Sequence, residues 1–186
     1  MYVSLARWAA RRPRHDEGET AYGYAQAPTP IIWVLIGVSA IEIPVLHLIL
    51  PWTWAQIVAI VIGVWGLVWM LGLLAAYHVH PHVLGDRALR VRNGAVVSFE
   101  VPLDAVASVR TGDESLPSSA RTVQPIEEES GTRVRIGVSG RVNVHLALNR
   151  PVDVALPAGP MTVTAISLCA DEPRTLATAL RRSLVA

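Results

Sequence analysis

Apolar and polar positions follow two different rules along this chain. Over residues 31–50 and again over 54–77 the apolar residues run almost without a break. Thirteen of the twenty residues in the first run are Ile, Leu or Val, and none of the 24 in the second is charged. Twenty-four residues make about 36 Å of helix, against a hydrocarbon core of about 30 Å. "PWTW", from Pro51 to Trp54, separates the runs with a tight turn whose tryptophans suit the headgroup level of a bilayer. A connection this short predicts an antiparallel transmembrane hairpin, with helices over 31–50 and 54–77.

Past Leu84 the period changes to two. Leu89 and Val91 alternate with Arg90 and Arg92, Asn93-Gly94 is a hairpin signal, and Val97, Phe99 and Val101 alternate with Ser98 and Glu100. A third strand is expected over 105–110. Residues 111–131 contain Pro117, Pro125 and the acidic run Glu127, Glu128, Glu129, and predict a long mobile loop. Alternation resumes at Val134, Ile136 and Val138, continues through Val142, Val144, Leu146 and Leu148, then Val152, Val154 and Leu156, and ends over 161–168. That makes seven strands. A closing helix is expected over 172–185, with Asp171 as cap, Pro173 in the first turn, Leu176, Leu180 and Leu184 on one face, and Arg181 and Arg182 in the last turn.

Seven short strands and a terminal amphipathic helix, directly behind a two-helix hairpin, resemble the bacterial pleckstrin-homology-like membrane proteins. The phrase "HVLGDRALRVRNGAVVSFEVPLDAVASVR" carries the resemblance: a lead-in strand, a hairpin, and a "PL-x-x-V-x-x-V" turn into the next strand. It implies an α+β chain in which the hairpin is followed by a bent antiparallel sheet or barrel over 82–186, closed by the helix and used as an adaptor or assembly surface. The family's phosphoinositide-binding relatives use a basic loop between the first two strands. Here only Arg90 and Arg92 lie near it, so no specific phosphoinositide binding is expected.

Charge adds orientation. Sixteen basic residues, all arginine, face fifteen acidic ones, which argues against nucleic acid as a partner. Arg7, Arg11, Arg12 and Arg14 precede the hairpin, Arg87, Arg90 and Arg92 follow it, and no arginine lies inside it. Both termini are therefore expected in the cytoplasm, on either side of a double crossing of the cell membrane. Residues 1–14 predict either a short basic helix on the lipid surface or a disordered tail, and residues 16–30, rich in small and polar residues, predict a linker. No cleaved secretory signal is expected, since no short apolar run with a following A-x-A site opens the chain.

Three groups of residues are candidates for chemistry. Glu42 is the one charged residue between Glu19 and Asp86. A carboxyl at mid-bilayer is expensive, so it is expected to face the other helix, with Ser39 one turn back and His47 five residues on, beyond Pro44. It reads first as a polar clasp between helices or protomers, and second as a proton-, ion- or metal-responsive pocket. His78, His80 and His82 alternate along "HVHPH". In an extended strand they would share a face and hold zinc; otherwise they sit among headgroups where the second helix ends. Ala55, Ala59, Gly63 and Gly66 form a small-residue stripe that admits a close neighbour, expected to be the first helix at Gly37 and Ala40 or a second copy of the chain.

The single cysteine, Cys169, excludes an internal disulfide, and no nucleophile elbow, phosphate-binding loop or dinucleotide fingerprint is present. No catalysis is expected, and no cofactor beyond the possible zinc. The function these observations favour is an integral membrane protein whose β domain engages a protein partner or copies of itself. The rival is an intramembrane transport or metal-dependent subunit built on Glu42 and His47.

Overall fold

Both apolar runs are helical in the computed structural model, which describes residues 19–94, 96–117 and 122–184. Helix α1 spans Thr29–Ile49, with Pro30 in its first turn, and α2 spans Thr53–Val79. The basic segment over 1–14 lies outside the described residues. At the turn, Gln56 donates through Nε2 to the carbonyls of His47 (3.0 Å) and Leu50 (2.8 Å), covering acceptors that the end of α1 leaves open. The helices meet along Ile32, Ile36, Ser39, Ile43 and Leu46 of α1, the partly or fully covered positions of that helix. Their spacing of three and four residues is one helical stripe.

Of Gly37, Gly63 and Gly66, Gly63 is the one set close against the facing helix. A Cβ there would lie 2.5 Å from Ile43 Cγ1, whereas a Cβ at Gly37 or Gly66 would meet nothing within 4 Å. The small-residue stripe thus admits α1 at Gly63, opposite Ile43 rather than opposite Gly37. Both helices are long and apolar enough to cross a membrane, and only 6% and 11% of their apolar windows are buried. Core helices of a water-soluble domain are covered by their own protein; these are not.

The rest of the chain is strand-rich, giving an α+β architecture. Strands β1 (Thr20–Tyr22), β2 (His82–Leu84), β3 (Ala88–Asn93) and β4 (Val97–Pro102) form one antiparallel sheet in that order. A 3-10 turn, Leu103–Ala105, leads into β5 (Val106–Ser115), β6 (Val123–Glu128), β7 (Gly131–Ile136), β8 (Arg141–Leu156) and β9 (Gly159–Leu168), whose sheet order is β5-β8-β9-β7-β6. Helix α3, Pro173–Ser183, packs on β5 and β8. One apolar core joins both sheets and the helix: Leu89, Val91, Leu146, Ile166, Leu176 and Leu180 are all fully buried in it. Arg181 donates to the Val109 carbonyl at 2.8 and 3.2 Å and fastens the helix to β5.

Several expectations need correcting. The described residues hold nine strands in two sheets rather than seven in one, and β7 runs parallel to β9, so the domain is not wholly antiparallel. The linker over 16–30 contains β1, which pairs with β2 from Thr20↔Leu84 to Tyr22↔His82, so this short segment before the hairpin belongs to the β domain. The expected acidic loop over 111–131 is largely sheet: β5 runs on to Ser115, and Glu127 and Glu128 lie in β6. Two expected strands merge into β8, which absorbs Arg150-Pro151 at an irregularity between Ala147 and Val152. Asp171 makes no cap for α3; its side chain turns toward the segment before α1.

Candidate functional site

The junction between α2 and the β domain holds the histidines. His78 and His80 donate through Nδ1 to the carbonyls of Leu74 (2.9 Å) and Ala76 (3.1 Å), one turn back, the second being one of the carbonyls that the end of α2 leaves open. Pro81 then ends the helix. His82 is in β2 and 1% exposed. Its Nε2 lies 2.9 Å from the Cys169 carbonyl, which only accepts, so the proton is on Nε2; Nδ1 accepts the Arg92 backbone N–H at 3.1 Å. Burial pushes its pKa down to about 4, with Arg92 adding to the shift against the Cys169 bond. With both nitrogens engaged the ring has no lone pair to offer a metal. His80 and His82 are also buried in protein rather than set among headgroups. Among the described residues no group of three or more His, Cys, Asp or Glu side chains is placed to hold a metal ion.

Tyr24, fully buried, organises this junction and was missed in the sequence because its neighbours look like a linker. Its hydroxyl donates to the His80 carbonyl (2.8 Å) and accepts from the Gly94 N–H (2.7 Å). Its ring stands edge-on to Tyr77 with centroids 5.9 Å apart and lies 4.8 Å from that of His82. Burial raises the Tyr24 pKa and carries that of Cys169 up to about 11, so both stay protonated at neutral pH. Asp171 Oδ1 accepts the Gln26 N–H at 3.0 Å, and the Asp171 N–H donates to the Gly23 carbonyl at 2.8 Å. Burial raises the Asp171 pKa, partly offset by the backbone N–H groups of Gln26 and Ala25. The end of α2, the β3–β4 turn, the segment before α1 and the end of β9 are thereby tied into one unit.

The polar residues inside the hairpin are not brought together. Glu42 and His47 are both exposed and lie on opposite flanks of the α1 stripe, about 140° apart at 100° per residue. Ser39 is half-buried on the stripe itself. The expectation that Glu42 faces α2 is therefore wrong: Ile43, its neighbour, takes that place.

A charged groove of about 400 Å³ lies over the five-stranded sheet, lined by Arg110, Glu114, Glu128, Arg133, Arg135 and His145 together with Thr111 and Ile126. Arg133 forms a two-pronged pair with Glu128 (2.6 and 3.0 Å), which holds the Glu128 carboxyl below its usual range. Arg135 pairs with Glu114 at 2.9 Å, and its Nε is buried without a hydrogen-bond partner. His145 Nε2 donates to the Gly112 carbonyl at 2.9 Å, so Nδ1 accepts from Ser167 Oγ at 2.9 Å, which in turn receives Arg133 at 3.4 Å. Arg110 on the rim is exposed and has no ion pair among the described residues. Such a groove offers a fixed alternation of positive and negative groups and suits recognition of a charged segment. Its signal in the sequence was Arg133 and Arg135 alternating with Val134 and Ile136, beside the acidic run Glu127, Glu128, Glu129, which looked like a solvated loop. No protein-family model, no curated protein and no solved structure matches the chain.

Proposed function

We propose that this chain is a non-enzymatic integral membrane protein of the cell membrane. Its hairpin crosses the bilayer twice and holds the β domain at the cytoplasmic face as a binding module for a protein partner. The observation that carries this reading is the pairing of two facts: the apolar windows of α1 and α2 are almost wholly uncovered, and α2 passes into β2 with only a bend at His80 and Pro81 between them. A domain clamped to its anchor in this way has a fixed height and orientation, which suits an adaptor. The charged groove is the surface we assign to the partner, with Arg110 as its first point of contact.

Two sheets and a terminal helix support the pleckstrin-homology-like description in outline, and the parallel β7–β9 pair departs from it. The cytoplasmic placement rests on the arginine distribution. The transport reading needs Glu42 and His47 on one passage and gains nothing from their placement on opposite flanks.

The test is fractionation of cells making the full chain with a tag after Ala186. The chain is expected to stay in the pellet after an alkaline carbonate wash, with its tag cut by protease only once the cells are opened. Release by carbonate, or a tag cut on intact cells, overturns the reading. A photo-crosslinker at Thr111 is expected to trap a discrete adduct that Arg110→Glu removes; a yield unchanged by Arg110→Glu removes the groove from the proposal.

A further inference from the structure

The intramembrane carboxyl is the strongest unexplained feature. Glu42 lies about 4.5 Å from the middle of α1, three residues past the centre of the Thr29–Ile49 span. It faces outward, and no hydrogen bond ties it to another described residue. Outward here means lipid, which cannot solvate a carboxyl. We propose that two copies of the chain pair within the bilayer, the Glu42 carboxyl of each accepting a hydrogen bond from the indole N–H of the partner's Trp69. The proposal rests on the membrane-spanning reading above.

The helical positions lead to this pair. Glu42 points about 80° to one side of the α1 stripe that meets α2. On α2 the covered stripe centres near Gly63, with Ala59, Leu67 and Met70, and Trp69 points about 120° to one side of it. Because the helices are antiparallel and right-handed, these two offsets open onto the same side of the hairpin. Two hairpins packed as a four-helix bundle give each helix two neighbours at roughly right angles. A two-fold axis along the membrane normal then sets each α1 against the other copy's α2, with Glu42 and Trp69 on the contacting faces.

Depth agrees with direction. Ile43 touches Gly63, which levels Glu42 with Val64. Trp69 is five residues further along α2, about 7.5 Å away. Long helical side chains lean toward the N-terminus of their own helix. Glu42 therefore leans toward the level of Trp69, and the partner's Trp69 leans back toward Glu42. Trp69 is 52% exposed and its N–H has no partner among the described residues. Trp65 is nearer in level but points almost directly away from the stripe. The occupant is a second copy because one chain carries both acceptor and donor, on one side and at compatible depths. A two-fold arrangement satisfies both at once.

Disulfide trapping in membranes tests this, using full chains with Cys169→Ala. Ile49→Cys lies on the Glu42 side of α1 and Val58→Cys on the Trp69 side of α2 at nearly the same depth; Leu48→Cys is the control on the opposite side. Mixed Ile49→Cys and Val58→Cys chains are expected to cross-link at least fivefold more than mixed Leu48→Cys and Val58→Cys chains. In that background Glu42→Leu and Trp69→Phe should each lower the yield about three- to tenfold, in keeping with a hydrogen bond inside a bilayer. The double variant should fall no further than either single one, and Glu42→Gln, which still accepts, should stay within twofold of the parent. Both apolar variants remove polar groups from lipid, so insertion is not at risk. Equal trapping at Ile49 and Leu48, an unchanged yield in Glu42→Leu, or loss of the yield in Glu42→Gln overturns the pairing. A chain that resists carbonate yet shows one of these results sinks the pairing alone; a chain that carbonate releases sinks the anchor reading itself.

Discussion

The hairpin and the β domain solve opposite packing problems. In the β domain apolar side chains turn inward, and most polar groups that go with them are answered, as at His82, Ser167 and Asn143. In the hairpin the apolar side chains turn outward, Leu48 being 83% and Ile41 68% exposed, and a glycine is set close against the facing helix. On the membrane-spanning reading proposed above, the contrast reflects the solvent each part meets. Water drives the domain's core together, but lipid is as apolar as leucine and rewards close fit and polar pairing instead.

Identical truncations in the two regions test this contrast most strongly. Leu146→Ala, in the domain core, should lower stability by about 2–5 kcal/mol, whereas Leu48→Ala, facing lipid, should stay within about 0.5 kcal/mol. Urea unfolding of the full chain in detergent, followed by sheet circular dichroism, reads both, and equal effects would break the comparison.

The buried histidine sharpens it next. Burial brings the folded His82 pKa down to about 4, against 6.5 for the exposed side chain. Above the unfolded value both states are neutral. As pH falls from 6.5 to 4 the unfolded chain takes up a proton that the folded chain refuses, so stability falls by about 3 kcal/mol across that window. A His82→Gln chain should show a flatter slope over the same range, and an unaltered slope would assign the acid sensitivity elsewhere.

Within the hairpin the sensitive point is Gly63. Gly63→Val places its side chain against Ile43 and should weaken helix pairing by about 1–3 kcal/mol while leaving the β domain's unfolding curve unmoved. The smallest expected effect lies on the seam between the regions. Tyr24→Phe leaves the His80 carbonyl and the Gly94 N–H without their shared hydroxyl, for a loss of about 1–2 kcal/mol. Faster hydrogen exchange at Gly94 and around β2 would register it.

What the amino-acid order revealed, and what it hid, divides along the same line. The hairpin helices came out within two residues at each end, because an unbroken apolar run needs no distant partner to define it. The Asn93-Gly94 turn and α3 were equally plain, being local: Gly94 has φ +57, and Leu176 and Leu180 are buried as their spacing requires. Strand β1 was hidden because three residues carry no period and their partner is some sixty positions on. The glutamates of β6 looked like loop, although an edge strand tolerates charge and even Pro125, and is shielded by them from pairing with other chains. The parallel β7–β9 pair and the groove over it come from register between distant strands, which alternation does not encode. The outward turn of Glu42 was hidden for the opposite reason: α1 is apolar on every side, so nothing in its order singles out Ile32, Ile36, Ser39, Ile43 and Leu46 as the covered stripe.

On the membrane-spanning reading, the Tyr24 hydroxyl, holding the last turn of α2 to the β3–β4 corner, couples that helix and the globule behind it as one lever. When bilayer thickness changes and the shaft tilts to match, the globule has no hinge at which to stay level. It must swing, and the edge that carries Arg110 rises or dips against the lipid surface with it.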